Sequence, residues 1–417
     1  MQRTLVHELP RRVGERVRLA GWLHNRRELG RVTFLVLRDR TGLAQVVLDG
    51  ARSEPLLPET VLEVEGLVVA SGPAPGGVEL HGPRLRVVAE PDGPSPVELR
   101  RPELKEALPT ILDHAAVALR HPRLRAAHAI SAASVAGFRA ALEGLGCTEI
   151  QTPKLVGGAT ETGANVFRVD YFGREAYLAQ SPQLYKQIMV GVFERVYEVG
   201  PVFRAEPHDT ARHLAEYVSL DAELGFVDDH RDVMAVAREA VAGMARAVRE
   251  RTGFAAPDVP REIPWLDFPD ALELAGAPPD EPDLAPAAER ALGEWALREH
   301  GSDFLFVVGY PLAKRPFYTH PDPRRPHLSR GFDLLFRGLE LSTGGQRLHR
   351  HGDYVAALAA RGQPAEAYDG YLAAFRHGMP PHGGFAIGLE RWTMQLTGAR
   401  NIRETTLFPR DLHRLEP

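Results

Sequence analysis

Between Arg16 and His24 the chain alternates: Val17, Leu19, Gly21 and Leu23 on one side, Arg18, Ala20, Trp22 and His24 on the other. A period of two predicts a half-buried strand. Val32–Arg38 and Ala44–Leu48 flank the turn Asp39-Arg40-Thr41-Gly42 and predict a hairpin; Val61–Val69 and Val78–Val88 add two β-rich runs around SGPAPGG at 71–77. Five short strands within residues 1–95 suit a small closed barrel of the OB type, which binds nucleic acid on one face, although a barrel without a ligand fits the same pattern.

PDGPSP at 91–96 punctuates the chain, and 96–122 reads as a hinge with short helical pieces. From residue 123 the period changes. Ile130, Val135, Phe138 and Leu142 recur at helical spacing up to Gly144 and Gly146. Strands are expected at 195–203, 217–226, 304–309, 331–336 and 383–388, and helices at 181–192, 229–252, 350–361, 364–377 and 389–397. Hairpin-like succession with helices between favours an antiparallel α+β domain over 123–417. The stretch 255–300, with eight prolines before residue 291, reads as a peripheral insertion.

Composition adds limits. At 417 residues, 44% hydrophobic and 25% charged, the chain is an ordinary globular sequence long enough for two or three domains. Met1–Gly14 has no apolar core, and no run of eighteen apolar residues occurs, so the cytoplasm is the expected compartment and no membrane the expected partner. A lone cysteine, Cys147, excludes an internal disulfide and a multi-cysteine zinc site. The net charge of -5 hides ten Arg against four acids in residues 1–40 and three Arg against nine acids in 41–98. The basic block is either a solvated face or a phosphate footprint. Of 50 basic residues only Lys105, Lys154, Lys186 and Lys314 are lysines, which draws attention to where a compact ammonium is kept.

Neither a P-loop nor a GxGxxG after a strand is present, so a nucleotide site must be built differently. Phe203-Arg204-Ala205-Glu206, a loop with Arg212-His213-Leu214, and Glu216-Tyr217 leading into Ser219-Leu220-Asp221 form one cluster. Two Arg and a His on such a loop suit a triphosphate, or else a surface ion-pair network. GGFAIGLER at 383–391 runs from a Gly-rich strand into a helix. Its glycines suit a flat ligand lying on backbone, or close strand-helix packing. Asp333, Glu340 and Thr343 offer oxygens of the kind that hold Mg²⁺ while substrate phosphates complete the shell.

Together these segments resemble the class II aminoacyl-tRNA synthetases, specifically the archaeal-type aspartyl enzymes, over essentially the whole chain. Phe138–Pro153 with EIQTPKL resembles motif 1, FRAE to SLD at 203–221 motif 2, and 383–391 motif 3; QSPQLYKQ at 180–187, FDLLFRG at 332–338, GGQR at 344–347 and NIRETTLFPRD at 401–411 resemble the aspartyl group. The resemblance implies an OB-fold anticodon domain at 1–95, a class II catalytic domain, and a homodimer built on motif 1.

It further implies that Lys186 and Arg347 clamp the aspartate side chain, with Glu161, Ser181, Gln183, Leu184, Tyr185, Asp221 and Thr343 around the amino acid. Arg204 is expected at the α-phosphate and Glu206 at adenine. Ala205, Arg212, His213, Leu214, Tyr217, Glu340, Gly388, Leu389 and Glu390 complete the ATP site, and Arg391 meets the γ-phosphate. Glu340 and Thr343 match Mg²⁺ ligands, with Asp333 a third. The loop carrying TETG departs from the family's TEGG at Thr162. In the barrel, Phe34 and Gln45 match anticodon-reading positions, with Arg26, Arg27 and Arg31 near phosphates.

Aspartate and asparagine anticodons differ only at the third base, C against U. Strictly discriminating relatives carry a Trp and a Lys where this chain has His24 and Pro75, whereas those that charge both tRNAs carry His and Pro. The resemblance thus implies aspartylation of tRNA(Asp) and also of tRNA(Asn), the latter linked to a tRNA-dependent amidotransferase. The alternatives are a strictly discriminating aspartyl enzyme, an asparaginyl enzyme, an amide-forming synthetase, or an inactive tRNA-binding relative.

Overall fold

The computed structural model describes residues 2–49, 56–158, 165–207 and 209–416. Contacts divide the chain after Arg125 into two compact units.

In the first unit, β1 (Arg16–Leu29), β2 (Val32–Arg38), β3 (Leu43–Asp49), β4 (Val61–Ala70) and β5 (Val78–Ala89) close a barrel in the order β1-β2-β3-β5-β4. Its core is the inward set of the alternation, including Leu19, Leu23, Leu35, Leu37, Val46, Leu62, Val64 and Leu80. The first strand runs five residues past His24, through polar Asn25–Glu28 to the exposed Leu29. A bulge between Leu23 and Asn25 shifts the register there, and pairing with β2 rather than burial holds this extension. Residues 96–122, expected as a hinge, include the short helices α1 (Leu108–Asp113) and α2 (Ala115–Ala118) and carry a small core of Val97, Leu99 and Ala118 that extends to Leu124.

The second unit is entered by α3 (Pro122–Gly144) and built on eight strands. Six central ones are antiparallel: β13 (Phe304–Val308), β14 (Gly331–Phe336), β15 (Leu339–Gln346), β16 (His382–Gly388), β11 (Glu216–Gly225) and β10 (Arg195–Phe203). The expected antiparallel sheet is present, with parallel pairing added at both edges. There β6 (Thr148–Glu149) and β12 (Trp265–Asp267) pair in parallel, each too short to extend the ladder far. A separate three-stranded sheet of β7 (Leu155–Val156), β8 (Arg168–Tyr171) and β9 (Arg174–Leu178) was not anticipated.

Helix α5 (His230–Thr252) starts at a capping box of Asp229 and Asp232, ends at left-handed Gly253, and buries Val233, Ala237, Val241, Met244 and Val248. These join Phe138, Tyr197, Phe304, Phe336, Trp392 and Cys147 in the main core; burial pushes the Cys147 thiol up to about 11. Helix α4 (Gln183–Phe193) leads into β10. An aromatic cluster of Phe317, Tyr354, Tyr371 and Phe375 gathers α8 (His351–Ala359) and α9 (Asp369–Arg376). The segment expected to be peripheral forms α6 (Phe268–Leu274) and α7 (Pro286–His300), which bury Phe268, Leu272, Leu292 and Ala296 against Leu305, Val307 and Leu335 of the sheet. Helix α10 (Leu389–Thr397) follows β16 directly.

Candidate active site

Strand β11 presents Ser219, Asp221 and Glu223 at successive alternate positions, so all three face one way. Buried Lys186 of α4 answers them: its Nζ lies 2.9 Å from Asp221 Oδ1 and 3.4 Å from Glu223 Oε2, and donates to the Phe385 carbonyl at 3.2 Å. The Ser219 hydroxyl donates to the other oxygen of Asp221. Arg347, at the end of β15, donates from Nε to Glu223 Oε1 at 3.1 Å and from Nη2 to the Gly384 carbonyl at 3.0 Å. A side chain at Gly384 would begin 2.0 Å from Glu223 Oε2, so glycine is what lets β16 pass over this acid. Burial pushes Glu223 up, but Arg347 and Lys186 outweigh it and hold the carboxyl below its ordinary range.

A neutral web backs these charges. Gln183 donates to Gln187, Gln187 donates to the Tyr354 hydroxyl at 3.0 Å and meets His382 Nε2 at 2.9 Å, and Tyr371 donates to Gln187. Burial drives His382 down to about 4, leaving it uncharged beside Arg347. The structure thus brings Gln183, Lys186, Asp221 and Arg347 together. The Ser181 hydroxyl, just ahead of α4, accepts from the Gln183 N–H at 3.3 Å. Leu184 packs against the aromatic cluster and Tyr185 is half-buried. Glu161 and Thr162 lie outside the described residues.

Beside this pocket a cavity is lined by Arg204, Glu206, Arg212, His213, Leu214, Tyr217, Glu340, Thr343, Gly388, Glu390 and Arg391. The Arg204 guanidinium stands 5.4 Å from the Tyr217 ring centre. Leu214 joins Leu339, Met394 and Ile402 in a small apolar cluster at this wall. Ala205 contributes backbone, its N–H donating to the Asn165 carbonyl. Leu389 packs with the main hydrophobic cluster. Glu390 reaches the cavity but accepts from the Val218 N–H at 3.1 and 3.2 Å, tying α10 to β11, and burial pushes its carboxyl up to about 7.

Glu340 and Thr343 lie on β15, the Thr343 hydroxyl donating to Glu340 Oε1 at 3.3 Å; Arg391 Nη1 donates to the same oxygen at 3.2 Å. Burial raises the Glu340 carboxyl, yet Arg391, Arg315 and Arg204 outweigh burial and keep it ionised. Two adjacent hard oxygens at a cavity edge fit a Mg²⁺ that takes few protein ligands. Asp333 lies beside them, directly opposite Thr343 across the β14–β15 ladder, where it is buried and bound to Arg315 at 2.9 Å. No cluster of three acid, His or Cys side chains suited to a metal occurs among the described residues.

The motif 2 loop is pinned by residues not singled out in advance. Arg403 donates to Asp209 at 2.7 Å and to the Thr210 carbonyl at 3.2 Å, while Arg212 pairs with Glu289 of α7 at 2.8 Å. Glu223 was legible as the next alternate residue after Asp221; Glu289 and Arg315 carried no local signal.

In the barrel, Phe34 sits opposite Arg27 and Val36 opposite Gln45, so Phe34, Arg27 and Gln45 share the outer face. Gln45 donates to Glu79 at 2.8 Å. Arg27 and Arg31 are exposed, whereas Arg26 pairs with Glu28. Pro75 opens a short 3-10 turn before β5. His24 sits at the bulge, 9% exposed and 3.3 Å from Nη1 of Arg38, a residue on the same β2 face as Phe34, and it borders a cleft with Pro58, Glu59 and residues 94–100. Burial, then Arg38, lowers its pKa.

Comparison with known proteins agrees with this geometry. The family model of class II tRNA synthetases (D, K and N) matches residues 108–412, and that of the OB-fold nucleic acid binding domain matches 17–88. The chain is 48% identical to the aspartate-tRNA(Asp/Asn) ligase of Thermus thermophilus over 100% of both chains, and 48% identical to that of Deinococcus radiodurans over 100% of this chain and 99% of the relative. The solved asparaginyl-tRNA synthetase from Pyrococcus horikoshii, complexed with asparaginyl-adenylate, superposes with a TM-score of 0.92 at 31% identity over 100% of both chains. An OB-fold barrel, a charged amino-acid pocket and an adjoining arginine-rich cavity, with family matches across both units, place this chain in the class II tRNA synthetases of the aspartate, lysine and asparagine group.

Proposed function

We propose that the protein attaches L-aspartate to tRNA(Asp) and to tRNA(Asn) through an aspartyl-adenylate. The observation that carries aspartate is the buried charge set. With Asp221 given to the substrate ammonium, Lys186 and Arg347 face Glu223 with one positive charge in excess, which one side-chain carboxylate balances. Asparagine would leave that charge uncompensated, at ~3–5 kcal/mol for an unpaired buried charge. This favours aspartate even though one matching fold is an asparaginyl enzyme.

The reaction needs alignment more than proton transfer. The ionised α-carboxylate of aspartate attacks the α-phosphorus of ATP, a carboxylate-phosphorus bond forms, and pyrophosphate leaves with the bridging electron pair. Arg204 and Arg391 neutralise charge growing on the phosphate oxygens, and Tyr217 offers a face to adenine. Glu340 and Thr343 hold Mg²⁺, which supplies Lewis-acid charge to the phosphates. A terminal ribose hydroxyl of tRNA then attacks the mixed anhydride and AMP leaves.

The outer barrel face with Phe34, Gln45 and Arg27 reads the anticodon loop by stacking, edge hydrogen bonds and phosphate contact. His24 and Pro75 tolerate C and U at its third base. Aspartate carried on tRNA(Asn) is then amidated by a tRNA-dependent amidotransferase. The enzyme works in the cytoplasm as a homodimer assembled on α3 and β6; no described helix is long and apolar enough to cross a membrane. Pyrophosphate exchange with each amino acid tests the activation step. Aspartate alone is expected to support it, and comparable exchange with asparagine would overturn the reading.

A further inference from the structure

The inserted segment contributes an acid that backs one wall residue of the nucleotide cavity. Helix α7 turns Ala288, Glu289, Leu292 and Ala296 inward, so a carboxylate occupies a stripe that is otherwise apolar. Leu292 and Ala296 pack against Leu305, Val307 and Leu335. Glu289 is only 5% exposed, and a buried carboxylate requires a partner. It has one in Arg212, whose Nη2 lies 2.8 Å from its Oε2 and whose side chain lines the cavity.

Close helix-hairpin packing delivers this acid to the site. The turn between β14 and β15 has Arg337 and Gly338 both at positive φ, and a side chain on Gly293 would begin 2.4 Å from the Gly338 nitrogen. One helical turn before that contact comes Glu289, and two residues beyond Gly338 comes Glu340 of the cavity. Burial, only partly offset by Arg212 and reinforced by Glu340, raises the Glu289 carboxyl above its ordinary range, as expected for an acid placed beside another acid.

We propose that Glu289 is a positioning residue for ATP, holding the Arg212 guanidinium at the cavity wall so that its remaining N–H groups address the phosphates. The inference rests on reading the cavity as the ATP site and Arg212 as a phosphate ligand. The sign follows from preorganisation. A long arginine loses rotamer freedom when it binds phosphate, and one already fixed through one nitrogen loses less. Because Nη2 serves Glu289, Nη1 and Nε stay available for two phosphate oxygens.

The test is aspartate-dependent pyrophosphate exchange with the intact enzyme, separating KM for ATP from kcat and from KM for aspartate. Glu289→Gln should raise KM for ATP about tenfold, with kcat and the aspartate KM changed by less than about twofold. In an Arg212→Ala background the same change should add less than about twofold, because both act through one guanidinium. Leu292→Ala loosens the same helix without touching Arg212 and should leave the ATP KM within about twofold. An unchanged or lowered ATP KM in Glu289→Gln overturns the proposal, as does a full extra penalty in the Arg212→Ala background or an equal rise in Leu292→Ala. If Arg212→Ala itself leaves the ATP KM unchanged, the assignment of Arg212 falls and the proposal falls with it. A normal Glu289→Gln beside an impaired Arg212→Ala removes the proposal alone.

Discussion

Glu223 accepts from Arg347 Nε at 3.1 Å with its Oε1, while its Oε2 lies 3.4 Å from Lys186. One internal acid thus spaces the two cations that would otherwise repel each other inside the protein. Replacing it with Gln leaves Lys186 and Arg347 with Asp221 as their counter-charge, and should cost ~3–5 kcal/mol of folding stability at neutral pH. The folded pKa is depressed, so this contribution is complete above the ordinary value of 4.5 and disappears as pH falls through the lower folded value. Urea unfolding of parent and Glu223→Gln should therefore differ at pH 7 and converge in acid.

Lys186→Leu removes the cation that balances the substrate carboxylate but leaves the nucleotide cavity intact. Aspartate-dependent exchange should fall by roughly 100-fold or more, as expected for one unpaired buried charge, while ATP still binds. Exchange kinetics with a separate ATP-binding titration check both halves. Unchanged use of aspartate would remove the clamp.

Glu390 behaves in the opposite sense to Glu223. Its folded pKa is pushed up to about 7 from 4.5, so ionising it inside the protein opposes folding. The stability it permits is whole below 4.5 and declines as pH rises towards about 7, by on the order of 3 kcal/mol in all. Glu390→Gln keeps an acceptor for the Val218 N–H and cannot ionise. Thermal unfolding should show the variant gaining on the parent above pH 7 and matching it near pH 4.

Gly293→Ala tests how α7 is seated. Its new methyl would begin 2.4 Å from the Gly338 nitrogen, an overpacking expected to cost ~1–3 kcal/mol. Denaturant unfolding should show the loss with little change in the cooperativity of the transition.

What the sequence disclosed and what it hid separate by range. Alternation in Val17–Leu23 and Val32–Arg38 placed the barrel strands because each has one buried face, whereas Asn25–Leu29 is held by pairing alone and left no pattern. Motif residues such as Arg204, Glu340 and Arg391 do converge on one cavity. Asp333 lies opposite Thr343 as its sequence context suggests but is also held by Arg315, a residue 18 positions away, whereas Leu389 packs into the core. Glu289 lies 77 positions from Arg212, a pairing set by helix-hairpin packing and invisible to any local period. His24 reads as one more residue of the alternating run, but a bulge that composition does not encode falls at it and seats it against Arg38.

Charging of purified tRNA(Asp) and tRNA(Asn) transcripts with aspartate, with asparagine as control, tests the central claim most directly. Both tRNAs should accept aspartate with efficiencies within about tenfold of each other, since a single mismatched base is worth only ~1–3 kcal/mol even where it is read. Neither should accept asparagine. A preference for tRNA(Asp) above roughly 100-fold, equivalent to nearly the whole of that energy, would contradict the dual specificity. Asparagine attached to either tRNA would contradict the amino-acid assignment itself.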